Sequence, residues 1–166
     1  MTHPASKFAC IAIDPAVANR FRATGLDDRG KPLHRMTAPA DFAFPCRVCL
    51  QYARAGEDVL LGSYDLPKPQ SVYWTPSPIF VHAEPCTPYA GTNEIAEIVR
   101  RNAIVSVRAY DADGMCLYDL GQVSEGAAVD APLARAMADE RTSFVNIHTA
   151  RPGCLLCRVE SLTEAA

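Results

Sequence analysis

The stretch IVSVRAYD, residues 104–111, alternates apolar and polar side chains and decides the architecture that the sequence predicts. Successive side chains in a β-strand point to opposite faces, so each strand divides into two rows. The apolar row consists of Val105, Val107 and Ala109. The opposite row consists of Ser106, Arg108 and Tyr110. The alternation therefore predicts a half-buried strand that carries Arg108 on its outer face.

The stretch SFVNIH, residues 143–148, repeats this pattern near the end of the chain. Its apolar row consists of Val145 and Ile147. Asn146 and His148 point to the opposite side. Arg108 and His148 are therefore both predicted to leave the core side of a sheet.

Six further runs are predicted strands: FACIAI (8–13), CRVCLQY (46–52), DVLLGSY (58–64), PIFVHA (78–83), MCLYDL (115–120) and CLLCRV (154–159). Gly56 suits a tight turn and predicts a hairpin of 46–52 with 58–64. The turn sequence DADG (111–114) predicts a second hairpin, of 104–110 with 115–120. The segment 26–45 is predicted to be irregular, and the four prolines within 65–78 predict a loop that either acts as a lid or lies on the surface.

Capping residues and spacing predict three helices, at 14–25, 92–101 and about 130–139. Asp14 followed by Pro15 opens the first, and Asn93 is the predicted cap of the second. Strands interrupted by helices, with hairpins between neighbours, are typical of an α+β fold. We therefore expect a single domain, residues 1–166, with a mixed or mostly antiparallel sheet and about three covering helices.

Composition narrows the class of protein. The formal net charge is −3 and basic residues are scattered, so nucleic acid is not an expected partner. No stretch reaches the roughly 20 apolar residues of a membrane span, and the N-terminal MTHPASKFACIAIDP is not typical of a signal peptide. These features predict a cytoplasmic protein without a nucleic-acid or membrane partner. A small-molecule ligand stays open as a partner, and the oligomeric state is not predicted. Its seven cysteines, an odd number, are expected to be reduced thiols or ligands.

Four of the seven cysteines form two pairs at the C-x-x-C spacing of zinc sites, Cys46 with Cys49 and Cys154 with Cys157. A metal site could draw on Cys46, Cys49, His82, Cys86, Cys154 and Cys157. However, C-x-x-C chelates a metal from a tight turn, whereas residues three apart in a straight strand face opposite ways. Because 46–52 and 154–159 are both predicted strands, no metal and no other cofactor is favoured. Zinc stays open as the alternative, and buried reduced thiols are the expected state.

The outer faces of the predicted strands favour another kind of site. They collect Arg47, Arg108, His148 and Cys154, which supply anion binding, proton transfer and a nucleophile. An ordinary solvated sheet face explains such a row equally well. The chain contains no G-x-G-x-x-G, Walker or G-x-S-x-G motif, so the common nucleotide and hydrolase fingerprints give no support.

Four separated segments resemble a bacterial family, the domain of unknown function 1203 family. They are FPCRVCL (44–50), SPIFVHAEPC (77–86), RAYDADG (108–114) and HTARPGC (148–154). The resemblance implies a small single-domain protein and no established reaction. It also implies that Cys46 and Arg47, the segment from Arg108 to Asp111, and the segment from His148 to Cys154, with Arg151, belong to a shared pattern.

Two hypotheses follow from the sequence. The leading one is an enzyme-like or ligand-binding pocket for a small anion. Its predicted catalytic residues are Cys46, His148 and Cys154. Its predicted ligand-binding residues are Arg47, Arg108, Asp111 and Arg151. The alternative is a non-catalytic binding or structural domain, stabilised by zinc through its cysteines and His82.

Overall fold

The chain opens with a strand and a capped helix, as the sequence predicts. β1 spans Phe8–Ile11 and α1 spans Pro15–Thr24. The Asp14 side chain accepts a hydrogen bond from a first-turn N–H at 2.9 Å, and proline at the first position loses no helical bond. Gly25 ends the helix at φ 66°, in the left-handed region that a residue without Cβ adopts freely.

The structure is a computed structural model and describes residues 7–162. The first six residues, part of the N-terminal stretch examined for a signal peptide, lie outside that range. Across the range, no helix is both long and apolar enough to cross a bilayer.

Two antiparallel sheets form the framework. The larger has the order β1-β8-β7-β5-β6, and the smaller has the order β2-β3-β4. The remaining strands of the larger sheet are β5 (Val105–Tyr110), β6 (Gln122–Ser124), β7 (Phe144–Thr149) and β8 (Leu155–Ser161). The smaller sheet consists of β2 (His34–Thr37), β3 (Asp58–Asp65) and β4 (Pro76–His82). Together with three helices, these sheets confirm the predicted α+β class.

The apolar row predicted from the alternation is buried. Val105, Val107 and Ala109 have no exposed surface, and they pack with Val145 and Ile147 of the neighbouring strand. α2 (Glu97–Arg100) and α3 (Asp130–Ala138) supply further members of this cluster, including Ile98, Val99, Leu133 and Ala136. A second cluster joins α1 to the smaller sheet around Phe21, which is completely buried. The apolar face of the larger sheet therefore packs against α2 and α3.

The predicted strand at 46–52 is wrong, and so is its hairpin with 58–64. The segment is a closed loop in which the Cys46 N–H donates to the Gln51 carbonyl at 2.8 Å. Leu50, at φ 54°, takes a left-handed conformation that no regular strand contains. The predicted partner β3 pairs instead with β2 and β4. The apolar side chains of this loop are buried by three-dimensional packing, so their alternation imitates a strand.

The turn of the second predicted hairpin is confirmed, but its predicted second strand, residues 115–120, is wrong. Within DADG the Gly114 N–H donates to the Asp111 carbonyl at 3.0 Å, as in a tight turn. Residues 115–120 then form an isolated bridge and a short 3₁₀ helix, and β6 is the strand that pairs with β5. β6 has three residues and two of them are exposed, so it leaves no alternation to detect.

Two other elements differ from expectation. The helix predicted at 92–101 shrinks to α2, because Asn93 adopts φ 56° and its side chain accepts a hydrogen bond from the Phe8 N–H at 3.0 Å instead of capping the helix. Glu97 and Arg101, four residues apart, form an ion pair at 2.9 Å. β2 lies in a segment predicted to be irregular, because all four of its residues are exposed and give no apolar row.

Candidate metal centre and ligand pockets

The cysteine loop, residues 46–52, is held by backbone hydrogen bonds to four parts of the fold. Arg47 accepts one from Ile13 at 3.1 Å and donates one to Phe80 of β4 at 3.0 Å. The Val48 carbonyl accepts a bond at 2.9 Å from Tyr89, which precedes α2. The Leu50 carbonyl accepts one at 3.2 Å from Ile98, which belongs to α2. These bonds satisfy the loop without a sheet ladder and fix both cysteines of its C-x-x-C on one tight turn.

Four donor side chains converge at this loop. Cys46 and Cys49 come from the loop, His82 ends β4, and Cys86 follows four residues later. Their sulfur and nitrogen atoms all lie within 4.8 Å of one another. Two cysteines on a turn with a distant histidine and cysteine constitute a Cys₃His donor set, which structural zinc sites commonly use.

Two donor-atom separations match the edges of a zinc tetrahedron. With Zn–S near 2.3 Å and Zn–N near 2.05 Å, a tetrahedral site has S···S edges of about 3.8 Å and S···N edges of about 3.6 Å. The Cys46 and Cys86 sulfurs lie 3.8 Å apart. The Cys49 sulfur lies 3.6 Å from Nδ1 of His82. A zinc ion would therefore fit with little rearrangement of these two pairs.

The second ring nitrogen of His82 has its own partner. Nε2 lies 3.4 Å from the Glu57 carboxylate, on the residue just before β3. A carboxylate can only accept a hydrogen bond, so this contact places the ring proton on Nε2 and leaves the Nδ1 lone pair toward the cysteines. Histidines that bind metals are commonly oriented in this way.

The electrostatics of the cluster favour a thiolate at Cys46. Hydrogen bonds from Cys49 and Cys86 hold the pKa of Cys46 far below its usual range, and the His82 backbone N–H also points at this sulfur at 3.4 Å. The hydrogen bonds that Cys49 and Cys86 make with Cys46 in turn raise the pKa of Cys49 and the pKa of Cys86. The Cys46 hydrogen bond also raises the pKa of His82. The cluster can thus hold one negative charge readily, whereas three thiolates need a cation.

A positive side chain lies beside the cluster. The Arg22 Nε donates to the His82 carbonyl at 3.2 Å, and its charge favours the ionised form of Cys86. Three thiolates and neutral histidine around Zn²⁺ carry a net charge of −1, which Arg22 would offset. Two open depressions, of about 410 and 660 Å³, reach His82 and Cys86 from outside and provide a path for an ion.

The other predicted cysteine pair does not join the cluster. Cys157 is buried in β8 against the main core, and its hydrogen bond with Cys10 raises its pKa well above the usual range. Cys154 precedes that strand, where its N–H donates to the Thr149 hydroxyl at 3.0 Å. The expectation that a predicted strand keeps its two cysteines from binding one metal therefore holds for Cys154 and Cys157 and fails for Cys46 and Cys49. All seven cysteines lie in the described part of the chain, and each is a free thiol.

The outer row of the larger sheet is buried instead of solvated. Asn146 and His148 are 8% and 3% exposed, and they pair across the sheet with Arg108 and Ser106. The proline-rich loop, residues 66–75, lies over them and leaves a cavity of about 30 Å³, which is large enough for a water molecule. The loop is fastened by the Ser71 hydroxyl, which donates to the Gly114 carbonyl at 2.7 Å.

His148 is neutral beneath this loop. Nδ1 lies 2.9 Å from the Gly153 carbonyl, which can only accept, so Nδ1 carries the proton. Nε2 is then a bare acceptor, buried and without a hydrogen-bond partner in residues 7–162. Burial, followed by the charge of Arg108, lowers the pKa of His148 to about 4. Nε2 can accept a hydrogen bond at neutral pH, but it is a weak base.

The predicted anion site is divided between two cavities. Arg108 and His148 line the small cavity under the proline-rich loop, whereas Arg47 and Cys154 line a larger one of about 350 Å³. Arg47 is 2% exposed, and burial lowers its pKa to about 10, so it stays charged at neutral pH.

The other predicted ligand-binding residues lie in turns. The Asp111 carboxylate accepts hydrogen bonds from the N–H groups of Asp113 and Met115, both at 2.9 Å, and so closes the DADG turn. Arg151 is exposed in the turn between β7 and β8.

Sequence reasoning missed Glu57 and Arg22, which lie around the metal ligands. Neither belongs to a ligand motif, so no sequence signal marks them. The spacing C-x₂-C followed by H-x₃-C did mark the four ligands themselves, and the strand assignment at 46–52 outweighed it.

Comparison with curated proteins gave no match, and comparison with solved structures gave none either. A family model described as "Protein of unknown function (DUF1203)" matches residues 43–161. The matched region contains the cysteine loop, β4 and the whole turn from His148 to Cys154. This match confirms the resemblance seen in the sequence: the chain belongs to the DUF1203 family.

Proposed function

We propose that this chain is a non-catalytic, zinc-stabilised domain whose metal ligands are Cys46, Cys49, His82 and Cys86. The observation that carries the proposal is the agreement of two donor-atom separations, 3.8 and 3.6 Å, with the edges of a tetrahedral ZnS₃N site. The Glu57 carboxylate on the far side of the His82 ring supports it, because it orients the ring as a ligand.

The donor set favours zinc over other metals. Three thiolates and one imidazole are too soft for Mg²⁺ or Ca²⁺, which prefer oxygen ligands. Zinc has no redox chemistry, and it takes tetrahedral sulfur and nitrogen sites in proteins. Four protein ligands fill its coordination shell, whereas catalytic zinc sites keep one position for water or substrate. The role that follows is structural.

The metal would tie distant parts of the chain together. The cysteine loop meets the end of β4 and the segment that leads to α2 at this point. A metal that binds the folded state but finds no preformed site in the unfolded chain adds its binding free energy to stability. Zinc would thereby stabilise the loop that orders the contact between the two sheets.

The geometry supports this role better than an enzyme-like pocket. The enzyme hypothesis needs Arg47, Arg108, His148 and a thiol in one cavity, and these residues line two cavities. Cys46, its first candidate nucleophile, is completely buried among the metal donors.

Elemental analysis by mass spectrometry tests the proposal directly. The protein is purified under reducing conditions without added metal, and any histidine tag is removed. We expect about one zinc per chain and a lower Tm after treatment with a strong chelator. Folded protein that contains no zinc, and whose Tm a chelator leaves unchanged, would overturn the proposal.

A further inference from the structure

We propose that the cavity beside the cysteine loop binds a small organic carboxylate through Arg47. We call this cavity the arginine pocket; its wall includes Arg47, Tyr52, Phe80, Thr149 and Cys154. Its volume is about 350 Å³, at the lower end of the roughly 300–1,000 Å³ of small-molecule sites. None of the four proposed metal ligands lines this cavity, although Arg47 follows the ligand Cys46 in the chain.

Arg47 is a buried charge without a carboxylate partner, and the acidic groups that most favour its charged form are the thiols of Cys154 and Cys46. Its side chain is 2% exposed, and its Nε and Nη1 donate to the carbonyls of Leu155 and Pro45 at 2.7 and 2.6 Å. Among the described residues, no carboxylate is a main charged neighbour of Arg47, and its two side-chain hydrogen bonds come from Nε and Nη1, which leaves Nη2 without one. Buried charges in proteins are normally paired, because an isolated one loses its hydration without compensation. The two carbonyls hold the guanidinium in place but do not neutralise it.

The pocket offers a second free donor. The Thr149 hydroxyl oxygen accepts the Cys154 N–H at 3.0 Å, so its own hydrogen is available to another acceptor. No acidic side chain lines the pocket in the described part of the chain. An anion that enters would therefore meet the buried Arg47 guanidinium and the Thr149 hydroxyl, with no carboxylate in the wall to repel it.

The charge of Arg47 and the residues in the wall of the arginine pocket indicate the class of ligand. Arg101 stands at the rim, but it already pairs with Glu97 at 2.9 Å and lies 4.0 Å over the ring of Phe42. One guanidinium without a carboxylate partner matches a single negative charge, and its Nη2, which makes no hydrogen bond to the protein, can donate to a carboxylate oxygen. The rings of Tyr52 and Phe80 supply an apolar wall for the body of the ligand. These features favour a small aromatic carboxylate over inorganic phosphate.

Titration of the zinc-loaded, full-length protein with benzoate tests this inference, with benzamide as the neutral analogue of equal shape. We expect benzoate to shift the backbone NMR signals of Arg47, Thr149 and Cys154 in a saturable manner, and benzamide to leave them in place. Equal shifts with both compounds, or benzoate shifts that lie elsewhere on the protein, would overturn the proposal. Saturation of these signals by inorganic phosphate in place of benzoate would overturn the carboxylate assignment.

A variant at the pocket wall keeps the test decisive, because replacement of the buried Arg47 endangers folding. Thr149→Val removes the hydroxyl and retains the shape of the side chain. The Tm of this variant is measured as well, because Thr149 also accepts the Cys154 N–H. We expect benzoate affinity to fall at least about tenfold, since a hydrogen bond to a charged group is lost. Thr92→Val, at an exposed threonine outside the pocket, is the matched control. Equal benzoate affinity in both variants would overturn the proposal, and their zinc contents, measured in parallel, report on the metal centre independently.

Discussion

Nε2 of His82 lies 3.4 Å from the Glu57 carboxylate, while Nδ1 of the same ring lies 3.6 Å from the Cys49 sulfur. The ring therefore connects an acceptor on the β3 side to the cysteine cluster, and each of its nitrogens has a distinct role. This relationship links the proposed zinc centre to a residue that binds no metal itself.

Replacement of Glu57 should weaken zinc binding without removing it. Glu57→Gln retains an oxygen that can accept the Arg54 N–H, a bond now 2.8 Å long, but it removes the charge that polarises the His82 ring. Such changes around a metal-bound histidine typically cost about 10–100-fold in affinity. Competition with a chelating indicator measures this. Glu84→Gln, at an exposed glutamate that lines the same depression, is the control. Equal zinc affinity in the two variants would contradict the proposed role.

Replacement of a ligand should remove stoichiometric zinc. Cys86 and Cys116 are both partly buried free thiols, but only Cys86 belongs to the donor set. We expect Cys86→Ser to lose the metal and about 3 kcal/mol or more of stability, which corresponds to a Tm about 6 °C or more lower. Cys116→Ser should retain both. Zinc analysis and thermal unfolding of the two variants check this, and a Cys86→Ser protein with full zinc content would exclude Cys86 as a ligand.

His148 should make stability depend on pH. Its pKa falls to about 4 in the folded protein, because burial and Arg108 disfavour its charged form, against about 6.5 in the unfolded chain. Below that unfolded value the unfolded state binds a proton that the folded state does not, so stability falls as the pH drops from 6.5 toward 4. The linkage amounts to about 2 kcal/mol between pH 7 and pH 5.

Urea unfolding of the wild type and of His148→Asn over this pH range measures the effect. The asparagine amide can still donate to the Gly153 carbonyl, but it does not titrate. We expect the variant to lose about 2 kcal/mol less than the wild type between the two pH values. Identical pH dependence in both proteins would show that His148 does not titrate with a lowered pKa.

Substitution of Gly114 should show how tightly the proline-rich loop packs against this residue. It has φ 79° and a Cβ there would lie 2.9 Å from Pro69 Cγ, whereas Gly30 has φ 70° and open space around its Cα. Alanine at Gly30 should cost about 1 kcal/mol of unfolding free energy through backbone strain alone. Alanine at Gly114 adds the clash with the loop, for a total of about 2 kcal/mol or more. Chemical denaturation compares the two, and equal losses would mean that the loop yields freely.

Parts of the fold could be predicted because their signals are local. Asp14, Pro15 and Gly25 fix the bounds of α1 through the backbone chemistry of a cap, a first turn and a left-handed end. The alternation in 104–111 and 143–148 correctly divides β5 and β7 into a buried apolar row and an outer row with Arg108 and His148. These assignments depend only on neighbours in the chain, so a sequence is sufficient for them.

The remainder depends on contacts between distant residues. The alternation of CRVCLQY suits a strand, but hydrogen bonds from Ile13, Tyr89 and Ile98 satisfy its backbone as a loop, and only that loop turns Cys46 and Cys49 to one side. Likewise, polar residues on a sheet face look the same in sequence whether water or the proline-rich loop covers them. By itself the sequence determined the α+β class, the faces of β5 and β7, and the family. Tertiary structure alone decided which cysteines meet His82 and which cavity receives Arg47, because long-range packing sets both.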